Sequence, residues 1–207
     1  MKRNLVLAVT LLTSLVGCTP ALPPPPRAAQ AQPMDAMANH AAVATPPTTV
    51  DEKIRSAMSA GPAAITQDST ILDFPTEAGK PMGVLRKGTG EWTCYPDWPA
   101  SPGNDPQCLD QVWMEWNDTF SAGTPYTVTR LGLAYMLQGG SDPSNMDPFA
   151  SAPKEGEDWV VTPPHIMILI PGELDPAQFT TDHHSGKPYI MYAGTPYAHI
   201  MMPINPN

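Results

Sequence analysis

The tripeptide His-Ile-Met occurs twice, as His165-Ile166-Met167 and His199-Ile200-Met201. Each lies in an apolar stretch that reads as a β-strand. Side chains alternate along a strand, so His165, Met167 and Leu169 share one face and Ile166, Ile168 and Ile170 the other. His199 and Met201 likewise oppose Ile200, Met202 and Ile204. The isoleucine faces read as core. If the two strands are neighbours in suitable register, two imidazoles and two thioethers converge on the second face. Those donors suit copper, above all the reduced ion, with Met191 and Met202 near enough in sequence to adjust the site. A shared ion requires the His165 and His199 nitrogens within about 5 Å of each other, because each ligand sits about 2 Å from the metal. The competing account is plain packing: apolar tripeptides recur in strands, and methionine fills irregular gaps.

Other residues offer weaker chemistry. Asp182-His183-His184 precedes the Gly186-Lys187-Pro188 turn, where adjacent imidazoles can reach one transition metal or one can donate to Asp182. A solvated polar turn is the alternative. Zinc lacks a supporting pattern, since no His-Glu-x-x-His is present. Asp142, Asn145 and Asp147 put oxygen donors in a glycine-containing loop, which suits calcium, but the alternating ligands of an EF-hand are missing. Glu115 and Asp97 are acids that a hydrolase would need beside a histidine. No Gly-x-Ser-x-Gly elbow accompanies them.

The elements that must position these groups follow from periodicity. Asp51 to Ala60 reads as an entry helix with Ile54, Ala57 and Met58 on one side. Ser69 to Phe74 and Met82 to Lys87 read as strands, and Glu91 to Tyr95 as a hairpin partner. Asp105 and Pro106 offer an N-cap and first position for the principal helix. Leu109, Val112, Trp113, Trp116 and Phe120 then share one face, and Gly123 ends it. Val128 to Gln138 reads as a long strand. Its residues Gly132, Ala134 and Met136 share a face where small side chains permit close packing. Residues 139–158 read as a loop. His165 to Ile170, Tyr189 to Tyr192 and Tyr197 to Ile204 complete a mostly antiparallel sheet packed on one principal amphipathic helix. The expected class is α+β, in a single domain spanning 51–207.

Cys94 and Cys108 enclose a stretch rich in proline, glycine and aspartate that has few other means of order. A non-cytoplasmic site favours a disulfide between them. The rival reading is a reactive Cys108 thiol in a first helical turn. The chain carries 20 acidic and 11 basic residues. Removal of Lys2 and Arg3 with a leader takes its formal charge from −9 to −11. Such a chain is repelled by phosphate backbones, which argues against nucleic-acid partners.

Lys2 and Arg3 precede the apolar run Leu5 to Val16, which is shorter than the roughly 20 residues of a membrane span and fits an export signal. The run ends in Leu15-Val16-Gly17-Cys18, which resembles the lipobox of bacterial lipoproteins. That resemblance implies a signal peptide over 1–17, acylation (palmitate among the chains) of Cys18, and a membrane anchor in the cell envelope. With Thr19 after the cysteine, it points to the outer membrane facing the periplasm. Residues 18–50 hold Pro23-Pro24-Pro25-Pro26 and many alanines, and read as an unstructured tether. The stretches Trp92-Thr93-Cys94-Tyr95-Pro96-Asp97, Ala134-Tyr135-Met136-Leu137-Gln138-Gly139 and Gly194-Thr195-Pro196-Tyr197-Ala198-His199-Ile200-Met201 resemble a family of secreted bacterial proteins without assigned activity. This implies one exported domain and no catalytic residues. The leading expectation is a non-enzymatic domain that binds a small ligand or an envelope protein. A copper protein using His165, Met167, His199 and Met201 is the first alternative, and a hydrolase the second.

Overall fold

Asp110, not Asp105, begins the principal helix. Its Oδ1 accepts from Trp113 N at 2.9 Å, and its Oδ2 accepts from Leu133 N at 2.6 Å. One carboxylate thus caps a helix and ties it to a strand. The expected start at Asp105 fails because residues 107–109 pair as a strand instead, with the disulfide at their centre. The rival reading of Cys108 as a helical thiol falls with it.

The computed structural model describes residues 45–75 and 80–204, all within the unit Met34–Asn207. The leader, Cys18 and most of the tether lie outside the described residues. In chain order the helices are α1 (Val50–Ser59), α2 (Ala63–Thr66) and α3 (Gln111–Ser121). The strands are β1 (Thr70–Asp73), β2 (Gly83–Arg86), β3 (Thr93–Tyr95), β4 (Gln107–Leu109), β5 (Gly132–Met136), β6 (Gly140–Asp142), β7 (Val160–Thr162), β8 (His165–Leu169), β9 (Tyr189–Met191) and β10 (His199–Pro203). Among the described residues the fold is mostly sheet. Eight strands run in the order β2-β1-β3-β4-β5-β8-β10-β9, and β6 and β7 form a separate pair.

All neighbours in the large sheet are antiparallel except β1 and β3, which are parallel. The expected hairpin return of β3 onto β2 is therefore corrected: β3 joins the far side of β1. The expected loop over 139–158 also holds a strand, since β6 pairs with β7. The strand expected from Val128 to Gln138 shortens to β5.

Helix α1 carries a capping box. Thr49 Oγ1 accepts from Glu52 N, and Glu52 Oε2 accepts from Thr49 N at 2.9 Å. The Thr49 and Thr48 amides, with their hydroxyls, hold the Glu52 carboxyl down at about 2. Lys53 Nζ donates to Asp73 Oδ2 at 2.6 Å, joining α1 to β1. Ala57 and Ala60 pack with Ile71, Cys94 and Cys108 on one side of the sheet. Val112, Trp113 and Trp116 of α3 pack on the other, against Leu109, Ala134, Met167, Leu169, Met191 and Met201. Gly132 is needed for that approach, since a Cβ there would lie 2.9 Å from Val112 Cβ.

Cys94 and Cys108 face each other across β3 and β4 with Cα atoms 4.0 Å apart and are disulfide-bonded. Fixing two ends of a loop of this size removes about 3 kcal/mol of closure entropy from folding. The double variant Cys94→Ala, Cys108→Ala is expected to lose about 3 kcal/mol of unfolding free energy. A urea titration reads that as a lower midpoint, and a midpoint unchanged from the oxidised protein would contradict it.

Candidate functional site

The sheet register decides what the two His-Ile-Met motifs can do. Strand β10 lies between β8 and β9. Met201 pairs with Met167, Pro203 with His165, and His199 with Met191. Ile200 pairs with Ile168, so His199 lies one step toward Leu169 and four residues from His165 along the strands. At about 3.3 Å per residue their backbones are roughly 13 Å apart in that direction. The expected close pair of histidines is corrected: the two motifs run antiparallel, which sends their histidines to opposite ends of the methionine pair.

The choice of core face is corrected as well. The His/Met face is the buried one, with His165, Met167, His199 and Met201 between 1% and 7% exposed. The facing side chains Ile166, Ile168 and Ile170 are half-buried, although Ile200 is enclosed. Helix α3 brings its tryptophans over the methionines, whereas α1 packs on β1 to β4, away from the isoleucines of β8.

Beneath α3 the sheet does not close completely. A cavity of about 460 Å³ remains, within the usual range for small-molecule sites. Its floor is Met167, Met191, His199 and Met201 from the strands. Trp113, Trp116 and Phe120 of α3 form one wall. Residues 141–143 and 148–151 form the other, where Phe149 stacks on Phe120 with ring centroids 5.4 Å apart. Phe149 and Trp98 are 57% and 43% exposed and stand at the rim. Asp105 and Asp142 also line the space, and none of its described lining residues is lysine or arginine.

His199 is held edge-on by three rings: Trp113 at 5.1 Å, Tyr192 at 5.5 Å and Trp116 at 5.8 Å between centroids. Its Nδ1 lies 3.0 Å from Tyr197 O. A carbonyl only accepts, so Nδ1 carries the proton and Nε2 keeps its lone pair. Burial, with a smaller contribution from His165, lowers the His199 pKa to about 4. His165 has the same arrangement, with Nδ1 2.8 Å from Pro163 O and a pKa lowered by burial to about 4. Both imidazoles are neutral at pH 7. Their buried Nε2 atoms, and the Nε1 atoms of Trp113 and Trp116, have no hydrogen-bond partner among the described residues. Three of these four atoms belong to cavity-lining side chains.

The acids are unusual. Burial raises Asp142 to about 7, and the nearby Asp105 reinforces it. Burial raises Asp105 to about 6 against hydrogen bonds from Ser101 and Ser141. Ser141 Oγ is 3.1 Å from Asp105 Oδ2, and Gly103 N donates to Ser141 Oγ at 3.0 Å. Tyr192 Oη reaches Asp142 Oδ1 at 3.5 Å. Tyr192 has φ of 56°, rare for a non-glycine residue, and its N–H donates to Asn145 O at 2.8 Å. Such left-handed backbone costs about 1–3 kcal/mol and concentrates at binding sites.

The other expected groups are dispersed. Asp182 accepts from His184 N at 2.9 Å, and the His183 and His184 rings lie 3.9 Å apart in an outer turn. No group of three histidine, cysteine or acidic side chains among the described residues could hold a metal ion. The calcium candidates are engaged separately: Asp142 with Tyr192, Asn145 Nδ2 with Thr181 O, and Asp147 Oδ1 with Phe149 N. Glu115 binds Tyr126 and Arg130, and Asp97 accepts from Asp105 N at 2.7 Å. The side-chain hydrogen bonds of His165 and His199 go to backbone carbonyls, not to a carboxylate. Sequence reading missed Asp105, Tyr192 and the rim aromatics as site residues. The lone Phe149 in a proline-rich loop was the available signal.

No family model matches this chain, and neither a curated protein nor a solved structure matches it. Among the described residues, no helix is long and apolar enough to cross a membrane.

Proposed function

We propose that this chain is a lipid-anchored bacterial envelope protein whose α+β domain binds a small organic ligand between α3 and the sheet. The observation that carries the binding reading is the cavity of about 460 Å³, walled by aromatic and methionine side chains and bearing polar atoms without hydrogen-bond partners among the described residues. Apolar walls with a few polar groups are the usual form of a small-molecule site. The anchoring rests on the ordered leader features ending at Cys18, which carry the periplasm-facing location with them. The disulfide agrees with an oxidising, non-cytoplasmic location.

The test is calorimetry of the mature protein in detergent against a panel of small apolar and amphipathic molecules. At least one is expected to bind with 1:1 stoichiometry. Ala150→Trp, at a half-buried lining position next to the exposed Phe149, is expected to abolish that binding without lowering the melting temperature. Binding indifferent to this variant, or absent across the panel, would remove the cavity from the account. Mass spectrometry of the native product checks the anchor, with an acylated Cys18 as the expected N-terminus.

One arrangement favours a second reading. Met191–His199 and Met167–Met201 are successive cross-strand pairs on one face, all four side chains line the cavity, and His199 Nε2 is buried without a partner among the described residues. Thioether and imidazole together suit Cu(I). In this reading Met191 takes the place that the sequence assigned to His165. One equivalent of Cu(I) held under anaerobic titration, and lost in His199→Gln, is its expected signature. Uptake unaltered by His199→Gln would contradict it.

A further inference from the structure

We propose that the cavity's ligand is a small organic cation with an alkylated nitrogen, seated among the aromatic rings with Asp142 as its counter-ion. This rests on the reading of the cavity as a binding site and specifies the ligand's charge.

The first argument is the sign of the lining. Its ionisable groups are Asp105, Asp142, Tyr192 and His199, and the described lining residues include no base that stays protonated at neutral pH. An anion there would meet two carboxyls and nothing positive. A neutral apolar molecule would leave Asp142 protonated and gain nothing from its charge. A cation turns that acid from a cost into a partner.

The second argument is the shape of the walls. Trp113, Trp116, Phe120, Phe149 and Tyr192 enclose the space, with Trp98 at its rim. Aromatic faces attract alkylated ammonium groups, and the attraction grows when the group is desolvated. An ammonium carrying methyl groups also hides its charge behind apolar surface, which suits the methionine floor. The volume of about 460 Å³ is that of a molecular ligand and far exceeds a bare ion.

The proton balance is simple. Asp142 holds its proton up to about pH 7. Seating a cation beside it ionises the carboxyl, and the proton passes to solvent. No other bond changes. The groups facing Asp142 do not reverse this. Tyr192 and Tyr189 stay protonated, because burial and Asp142 itself raise both phenols. Asp147 acts on Tyr192 with the same negative sign as Asp142. His165 and His199 stay neutral, and Asp105 adds further negative charge as the pH passes about 6. Cation affinity therefore rises with pH between about 5 and 8.

The experiment compares choline with its uncharged carbon analogue, 3,3-dimethylbutan-1-ol, by calorimetry on the full mature protein at pH 8 and pH 5. Choline is expected to bind at least about tenfold tighter than the alcohol at pH 8, from the aromatic contacts and the Asp142 charge together. That preference is expected to shrink severalfold at pH 5. Asp142→Asn is expected to shrink the preference at pH 8 severalfold, as acidification to pH 5 does in the unaltered protein. Where that variant fails to fold, the pH comparison on the unaltered protein decides alone. An alcohol that binds as tightly as choline at pH 8 overturns the cation and leaves the cavity reading intact. So does silence from choline when a neutral panel compound binds. Silence from every compound overturns both.

Discussion

Trp113→Ala is expected to lower the unfolding free energy by about 3–5 kcal/mol, the range for truncating a large buried aromatic. Trp113 is 2% exposed and reaches from α3 onto the methionine floor. Its ring packs against Trp116 and against the edge of His199, both at 5.1 Å. The neighbours cannot collapse onto the space, because the pocket already lies there and a shift of α3 would strain the Asp110 cap shared with β5. Trp113→Phe separates packing from hydrogen bonding. It keeps an aromatic ring and removes an N–H that has no partner among the described residues, so it is expected to cost much less, about 1 kcal/mol. Urea melts at constant m-value measure both. Equal losses in the two variants would mean that the ring is not the support for α3.

Asp142→Asn is expected to make the protein more stable than the original above pH 7 and nearly equal to it below pH 4. Burial raises the Asp142 pKa from 3.8 to about 7. For an acid raised in this way, the folded state keeps a proton that the unfolded chain has released. Its contribution is fully present below about pH 4 and is lost as the pH rises through 7. Asparagine resembles the protonated acid at every pH, so the variant escapes that loss. Three pKa units correspond to about 4 kcal/mol in full, and solvent reaching the open cavity reduces the expected gain to about 2 kcal/mol.

His165 and His199 act with the opposite sign. Their pKa values fall from 6.5 to about 4, so their contribution is present above 6.5 and is lost as the pH drops through 4. Acids and imidazoles therefore oppose each other across one window, and the unaltered protein should show a shallow pH profile between 4 and 7. The difference between variant and original isolates Asp142. A difference independent of pH would mean that the carboxyl is ionised throughout. A half-buried acid that weakens the fold at neutral pH is the kind of cost retained at binding sites, so this measurement also bears on the ligand's charge.

Much of the local structure was legible in the residues. Alternation and helical spacing located α1, α3 and most strands, because each pattern is written within about a dozen neighbouring positions. The small residues Gly132 and Ala134 announced a close approach, and Gly132 does meet Val112. Errors came where a local signal met a distant partner. Asp105 was a good cap on its own terms, but strand pairing consumed the next turn. His165 and His199 were correctly placed on one face with Met167 and Met201, and the antiparallel register then separated the histidines.

By themselves, the residues determined the acidic net charge, the aromatic stripe of α3 and the membership of each strand face, and they favoured the oxidised cysteine pair. The tertiary structure alone decided which face α3 covers, that β3 runs parallel to β1, and that an unfilled space separates the tryptophans from the methionines. It also decided that Asp142 keeps its proton near neutrality. The reason is one of range: side-chain direction follows from the backbone a few residues either way, whereas register, coverage and desolvation depend on segments far apart in the chain.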